Sequence, residues 1–175
     1  MPNYRRVRIP GGSYFFTVDL SDRRSRLLVD RIGDLRDAVR RVRHHHPFDI
    51  DAWVVLPDHL HCIWTLPPGD DRYAERWRLI KLLFAKGLTV RETGERPPPR
   101  RGRRRIWQPR YWEHTLRSEE DFARHVAYIH FNPVKHGHAG RVRDWPHSTF
   151  HRYLRDGLLP PDWGDDVGEL PTTGE

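Results

Sequence analysis

The segment Ala52-Trp-Val-Val-Leu-Pro-Asp-His-Leu-His-Cys-Ile-Trp64 contains two apolar runs on either side of Pro57-Asp58. Proline and aspartate are typical of turns, and runs rich in valine, isoleucine and tryptophan are typical of strands. The segment therefore predicts a β-hairpin whose two arms cover residues 48–56 and 59–66. The histidines open the returning arm.

His59 and His61 are one residue apart in this arm. Alternate side chains of a strand project from the same face, so the two imidazoles form a pair while Leu60 and Cys62 point into a core. Two neutral imidazoles at this spacing can bind one divalent metal ion. The spacing alone is equally compatible with histidines that only hydrogen-bond within the structure.

The remaining periodicities predict a single α+β domain. Strands and helices are expected in the following order: a strand over 13–20, a helix over 30–45, the hairpin, a helix over 73–86, a short strand within 106–116 and a helix that begins at Ser118. This order predicts a ferredoxin-like antiparallel sheet with helices packed on one face. The domain is expected to cover residues 1–155, with a basic Pro/Arg-rich loop at 88–105.

The composition indicates a basic intracellular protein. The chain has 175 residues and a single cysteine, which argues against a disulfide framework and fits a reducing cytoplasm. No apolar run is long enough to span a membrane, and no signal peptide is evident. We therefore expect a cytoplasmic, nucleoid-associated protein.

The charge is distributed unevenly along the chain. All 31 lysines and arginines lie in residues 1–155 with 18 of the 24 acidic residues, whereas 156–175 forms an acidic C-terminal tail. Residues 1–155 thus carry an excess of 13 positive charges, which favours a nucleic acid partner. The alternative is a solvated arginine-rich surface. The tail is either an ordinary chain end or a competitor for the basic surface.

The helix that begins at Ser118 carries a polar stripe beside its apolar one. The apolar stripe consists of Phe122, Val126 and Ile129, and the polar stripe of Asp121, His125, Tyr128 and Asn132. A helix lying on the sheet could thus direct the phenol of Tyr128 and the amide of Asn132 towards the histidine pair. Ordinary roles stay open, because helical tyrosines are often half-buried and Asn132 precedes a proline, where helices often end.

Together these side chains suit phosphodiester transesterification. A metal ion at the histidines would neutralise a phosphate oxygen while Tyr128 attacks phosphorus and forms a phosphotyrosine. A phenol ionises near pH 10, so it needs a positive environment, for which Lys135 and nearby arginines are candidates. The sequence identifies no general base.

Three segments, in this order, resemble the REP-associated tyrosine transposases, a single-tyrosine group of the HUH (His-hydrophobe-His) enzymes. The first is the hairpin segment quoted above, from Trp53 on. The second is Trp107-Gln-Pro-Arg-Tyr-Trp-Glu-His114, and the third is Tyr128-Ile-His-Phe-Asn-Pro-Val-Lys-His-Gly137. The segments 4–12 and 144–150 extend the resemblance to about residues 4–155.

The resemblance implies a function and a site. His59, His61 and Tyr128 would be catalytic, with Asn132 as a third metal ligand beside the two histidines, a position where related enzymes commonly carry glutamine. The ion would be Mg²⁺ or Mn²⁺. The substrate would be single-stranded DNA that carries REP (repetitive extragenic palindrome) hairpins and a short guide sequence, cleaved and rejoined through a 5′-phosphotyrosine.

Basic and aromatic residues in two regions fit such a substrate. The candidates for nucleic acid binding are Arg5, Arg6, Arg8, Arg101, Arg103, Arg104, Arg105, Trp107, Arg110 and Lys135. For Trp107 and Trp112, packing in the core is the alternative to stacking on bases. The arginine-rich loop either clamps the hairpin or is an insertion without contact to DNA.

Two other functions remain open from the sequence. One is a catalytically quiet protein that binds hairpins in DNA or RNA, and the other is a metal-dependent nuclease that uses water and forms no covalent intermediate. Both a monomer and a homodimer are compatible with the chain.

Overall fold

The computed structural model of the chain describes residues 6–88 and 105–166. Its elements in chain order are β1 (Ser13–Asp19), α1 (Leu27–Asp30), α2 (Ile32–His45), β2 (Asp49–Val55), β3 (His59–Thr65), α3 (Tyr73–Gly87), β4 (Trp112–Thr115), α4 (Glu119–Lys135), a 3₁₀ turn (Val142–Asp144) and α5 (Phe150–Arg155). The predicted hairpin is present as β2 and β3. The expected helix over 30–45 is present as α2, directly preceded by the short helix α1, and α5 was not predicted.

The four strands form one antiparallel sheet in the order β2-β3-β1-β4. Strand β3 is therefore internal, and its register with β1 places Thr17 opposite His61 and Asp19 opposite His59. Strand β4 pairs with the other edge of β1 and places His114 opposite Phe15. The histidine pair thus lies in the middle of the sheet rather than at an edge.

Helices cover both faces of the sheet, which confirms the α+β fold but corrects the expectation of helices on one face. On one face, α2 and α3 enclose a core that includes Trp64 and Trp77, whose rings stack 4.2 Å apart. On the other face, α4 packs on Phe15 and Ile63. The physical reason is that β1 and β3 carry apolar side chains on both faces, and both faces must then be buried.

The packing of the chain continues beyond residue 155. Leu159 and Trp163 contact a small cluster formed by Phe131, Val142 and Phe150, at the C-terminal part of α4. The first part of the acidic segment therefore covers the end of the helix that carries Tyr128. Residues 167–175 lie outside the described part of the chain.

A buried ion pair fixes the start of α3, and breaking it is expected to destabilise the fold. Arg76 is 1 % exposed, and its Nη2 donates to Asp70 Oδ2 and to the Pro47 carbonyl oxygen, each at 2.8 Å. Asp70→Ala leaves the guanidinium buried without its counter-charge, so urea denaturation should show a loss of about 3–5 kcal/mol in the free energy of unfolding. The neighbouring Asp71→Ala is the control, with a change within about 0.5 kcal/mol. Equal unfolding midpoints for the two variants would contradict this.

A second stability prediction concerns pH. His130 of α4 is fully buried, its Nε2 lies 2.9 Å from Thr149 Oγ1, and burial lowers its pKa to about 3. The unfolded chain binds this proton near pH 6.5, so the contribution of His130 to stability is complete above that pH and is lost as the pH falls towards 3. In urea titrations between pH 7 and pH 4, His130→Gln should lose less stability on acidification than the unchanged protein. If both proteins lose the same free energy of unfolding between pH 7 and pH 4, His130 is not the source of this pH dependence.

Candidate active site

His59 and His61 are both buried on the α4 side of the sheet, with ring centroids 5.0 Å apart. Leu60 and Cys62 point to the opposite core. This is the alternation that the sequence predicts.

Hydrogen bonds orient both imidazoles. The Thr17 hydroxyl lies 2.8 Å from Nδ1 of His61, and Asp58 Oδ1 lies 2.8 Å from Nδ1 of His59. Asp58 is itself held by Arg23, whose Nε is 2.8 Å from its carboxylate. When each Nδ1 carries its proton towards these oxygens, Nε2 is the atom with which each histidine would bind a metal.

The environment keeps His61 neutral. Burial lowers the pKa of His61 well below its ordinary value, and His59, His136 and the cations Lys135 and Arg23 lower it further. Neutral imidazole is the form that coordinates metals, so His61 could serve as a metal ligand at neutral pH.

Helix α4 brings Tyr128 against the histidine pair. Its ring meets the His61 ring edge-on, with centroids 5.2 Å apart and planes at 74°. The Nζ atom of Lys135, two turns further along α4, lies 4.7 Å from the centre of the Tyr128 ring. A phenol, two imidazoles and a cation thus lie together although about 70 residues separate them in the chain.

Asn132 lies one turn beyond Tyr128 and is 0 % exposed. Helix α4 does not end there but continues through Pro133 to Lys135, which keeps Asn132 on the stripe of Tyr128. Within residues 6–88 and 105–166, neither the oxygen nor the nitrogen of its amide has a hydrogen-bond partner. A buried amide without partners is costly, and ligation of a metal by its oxygen would relieve that cost, so this residue fits the expected third ligand.

His136 is a member of the site that the sequence analysis missed. Its ring centroid lies 5.4 Å from that of His59. The signal was present in the spacing, because His136 follows Asn132 by four residues and extends the polar stripe of the helix by one turn.

A second cluster at the start of α4 could also hold a metal ion. The ligand atoms of His114, Asp121 and His125 all lie within 4.8 Å of one another. Nε2 of His114 is 2.9 Å from Asp121 Oδ2, and Arg124 Nη2 is 2.7 Å from Oδ1. The two imidazole rings are stacked with planes at 18°. The same contacts tie α4 to β4, which helps to hold Tyr128 in place.

The expected nucleic acid contacts are only partly described. Four of the candidate residues are exposed, namely Arg8, Arg105, Arg110 and Lys135. Most of the loop at 88–105 lies outside the described residues, and so do the candidates Arg5, Arg101, Arg103 and Arg104. Arg6 packs on Tyr111, with its guanidinium 4.6 Å from the ring centre.

The structure corrects the expectation for Trp107. Its side chain is 7 % exposed and contacts Phe84 in the core, with ring centroids 5.3 Å apart. An indole buried in this way presents no face to a base. Trp112 is 39 % exposed and is the indole of this segment that could stack on DNA.

Comparisons with known proteins identify relatives of this chain. No family model matches the chain. The chain is 50% identical over 170 residues to the REP-associated tyrosine transposase of Escherichia coli K12, covering 97% of this chain and 95% of that protein. A Haemophilus influenzae protein assigned to the same family is 43% identical over 166 residues, 94% of each chain.

A solved structure extends the comparison to the fold. It shows a REP-associated tyrosine transposase bound to a REP hairpin, with a TM-score of 0.84 and 48% identity over 99% of this chain and 96% of that one. None of the helices in the described part of the chain is long and apolar enough to cross a membrane. By sequence and by fold, this chain belongs to the family of REP-associated tyrosine transposases.

Proposed function

We propose that the protein is a metal-dependent transposase that cleaves and rejoins single-stranded DNA at REP hairpins through a covalent bond to Tyr128. The observation that carries the proposal is the edge-on contact between Tyr128 and His61, 5.2 Å between ring centroids. Family membership and a solved relative in complex with a REP hairpin support the choice of substrate.

The reaction is a transesterification. Tyr128 Oη attacks the phosphorus of the scissile phosphodiester, its proton leaves, and a bond between the phosphate and the phenolic oxygen forms. The bond from phosphorus to the 3′ oxygen breaks, and that oxygen takes up a proton and leaves as a 3′-hydroxyl. Attack of another 3′-hydroxyl on the phosphotyrosine reverses these steps and joins a new strand.

The residues around Tyr128 fit a Mg²⁺ or Mn²⁺ ion held by Nε2 of His59, Nε2 of His61 and the amide oxygen of Asn132. When bound, the ion would neutralise charge on a non-bridging phosphate oxygen. Thr17 and Asp58 hold the two imidazoles in the orientation that this ligation needs. The Nζ atom of Lys135 lies 4.7 Å from the centre of the Tyr128 ring and places a positive charge beside the proposed nucleophile.

Covalent capture of the DNA tests the proposal. The protein is incubated with Mn²⁺ or Mg²⁺ and a labelled single-stranded hairpin from the repeats of its own genome, and the products are separated on a denaturing gel. A labelled protein–DNA adduct is the expected result. Tight binding without an adduct would support a hairpin-binding protein instead, and cleavage without an adduct would support a hydrolytic nuclease.

A further inference from the structure

A cleft of about 400 Å³ lies on the face of the sheet opposite to Tyr128, between α2 and the edge strand β2. Ile50 and Trp53 form part of its floor. Side chains three residues apart on a regular strand point to opposite faces, but a β-bulge between Ile50 and Ala52 brings these two onto the same face. The cleft therefore has an apolar floor that includes a half-buried indole.

The wall opposite α2 is fixed to the sheet by backbone hydrogen bonds. The N–H of Val55 donates to the His147 carbonyl oxygen at 2.9 Å, and the N–H of Thr149 donates to the Trp53 carbonyl oxygen at 2.8 Å. Residues 147–149 thus run along β2 as a short additional edge. The cleft is preformed rather than dependent on a ligand to close it.

The α2 wall is cationic. Arg36, Arg40 and Arg43 follow one another at i, i+4 and i+7, which places them on a stripe about 60° wide and about 10 Å long. All three are exposed. Arg40 forms an ion pair with Asp37 on the same helix, and Arg43 Nε donates to the Phe48 carbonyl oxygen at 2.9 Å. Arg36 forms no ion pair with a carboxylate of residues 6–88 or 105–166. A second opening of about 540 Å³ continues the stripe past Arg40 and Arg43 to Pro67 and Pro68.

We propose that this cleft binds unpaired nucleotides flanking the hairpin, a role that rests on the proposed function for its DNA substrate. Arginines beside an apolar, aromatic floor match the two parts of a nucleotide, because guanidinium groups bind phosphates and an indole stacks on a base. The bases of a duplex stem are covered by stacking and pairing and would leave the floor unused. An acidic peptide would use the arginines but has no need of Trp53.

The position of the cleft relative to the tyrosine suits a strand that passes around the edge of the sheet. Val55 lines the cleft and pairs with Leu60, and Val54 pairs with His61. Neighbouring strands are about 4.8 Å apart, so the cleft and the histidine pair lie on opposite faces of adjacent strands. The cleft would anchor the flank while the phosphate to be cleaved lies at Tyr128.

Binding to matched DNA ligands tests this role. The ligands are one REP hairpin without a flank, the same hairpin with an unpaired flank, and that flanked hairpin with abasic nucleotides in the flank. The variants are Trp53→Ala and the double variant Arg36→Gln/Arg40→Gln. Arg41→Gln is the control, since Arg41 is on the same helix and exposed but about 100° away from the stripe.

The cleft variants should bind the flanked hairpin about tenfold more weakly than the unchanged protein and bind the bare hairpin equally well. Abasic flanks should remove most of the effect of Trp53→Ala. The double variant should lower the slope of log affinity against log salt by about 1.4, as expected for two lost phosphate contacts on a single strand. Arg41→Gln should change none of these quantities.

Two results would overturn the assignment. One is unchanged affinity of the arginine double variant for the flanked hairpin, which does not depend on whether Trp53→Ala folds. The other is an equal loss on the bare hairpin, which would assign the cleft to the duplex stem. Adduct formation by the unchanged protein is measured in parallel, so that a missing adduct refutes the proposed function while the binding data still decide the role of the cleft.

Discussion

Tyr128→Phe is expected to form no covalent adduct with a REP hairpin and to bind that hairpin as tightly as the unchanged protein. The substitution removes only the hydroxyl oxygen, and the ring keeps its edge-on contact with His61 and its contact with Phe15. Loss of the nucleophile should reduce strand cleavage by more than about 10³-fold, because no other group takes its place.

Tyr153→Phe is the matched control. Tyr153 is a half-buried tyrosine on another helix, and its hydroxyl donates to the Asp51 carbonyl oxygen at 2.9 Å, away from the histidine pair. This variant should form the adduct at the normal rate. An adduct with Tyr128→Phe would place the nucleophile elsewhere, and cleavage without an adduct would identify water as the attacking group.

The parts of the site that follow from local periodicity could be predicted from the sequence. A strand repeats every two residues, so the spacing of His59 and His61 is enough to place them on one face. The helix repeat relates Tyr128 to Asn132 in the same way. Both relations depend only on the backbone geometry of one element, and the structure shows both.

The layering of the fold depends on more distant contacts. The apolar run of β3 is compatible with burial on one or both faces, and only the position of α4 across Phe15 and Ile63 decides between them. The roles of Trp107 and Trp112 show the same limit. The isolated bridge from Leu20 to Trp107 turns that indole into the core, and pairing of this kind between distant segments leaves no periodic signal.

The hydrogen-bond partners of the histidines could not be predicted from the periodicity of a single strand or helix either. Thr17 is 44 residues from His61 and reaches it only through the register of β1 against β3. His136 was within reach by helical spacing, but its proximity to His59 depends on how α4 crosses the sheet. Knowledge of the register between β1 and β3 would therefore have identified more of the contacts in the site than any further sequence motif.

His61→Gln is expected to lose metal binding and, with it, adduct formation. The variant lacks one of two buried imidazoles whose ring centroids lie 5.0 Å apart. The affinity of the free protein for Mn²⁺, measured by electron paramagnetic resonance without DNA, should fall by more than about 100-fold. His44→Ala is the control, because it removes an exposed histidine from another His-x-His pair.

Thr17→Val tests whether His61 acts as a metal ligand or only packs in the core. It keeps the shape of the side chain but removes the hydroxyl that lies 2.8 Å from Nδ1 of His61. Loss of such an orienting contact should weaken Mn²⁺ binding by about 10- to 100-fold, less than the loss of the imidazole itself. This graded order is expected only if His61 binds the ion.

The cluster of His114, Asp121 and His125 is the competing candidate for the metal site. If Mn²⁺ binding survives in His61→Gln and is lost in Asp121→Asn, the metal site belongs to that cluster and the histidine pair is structural. If Asp121→Asn instead binds Mn²⁺ normally but forms the adduct more slowly, the cluster acts by holding α4 against β4. The two measurements together therefore distinguish a ligand of the metal from a residue that positions Tyr128.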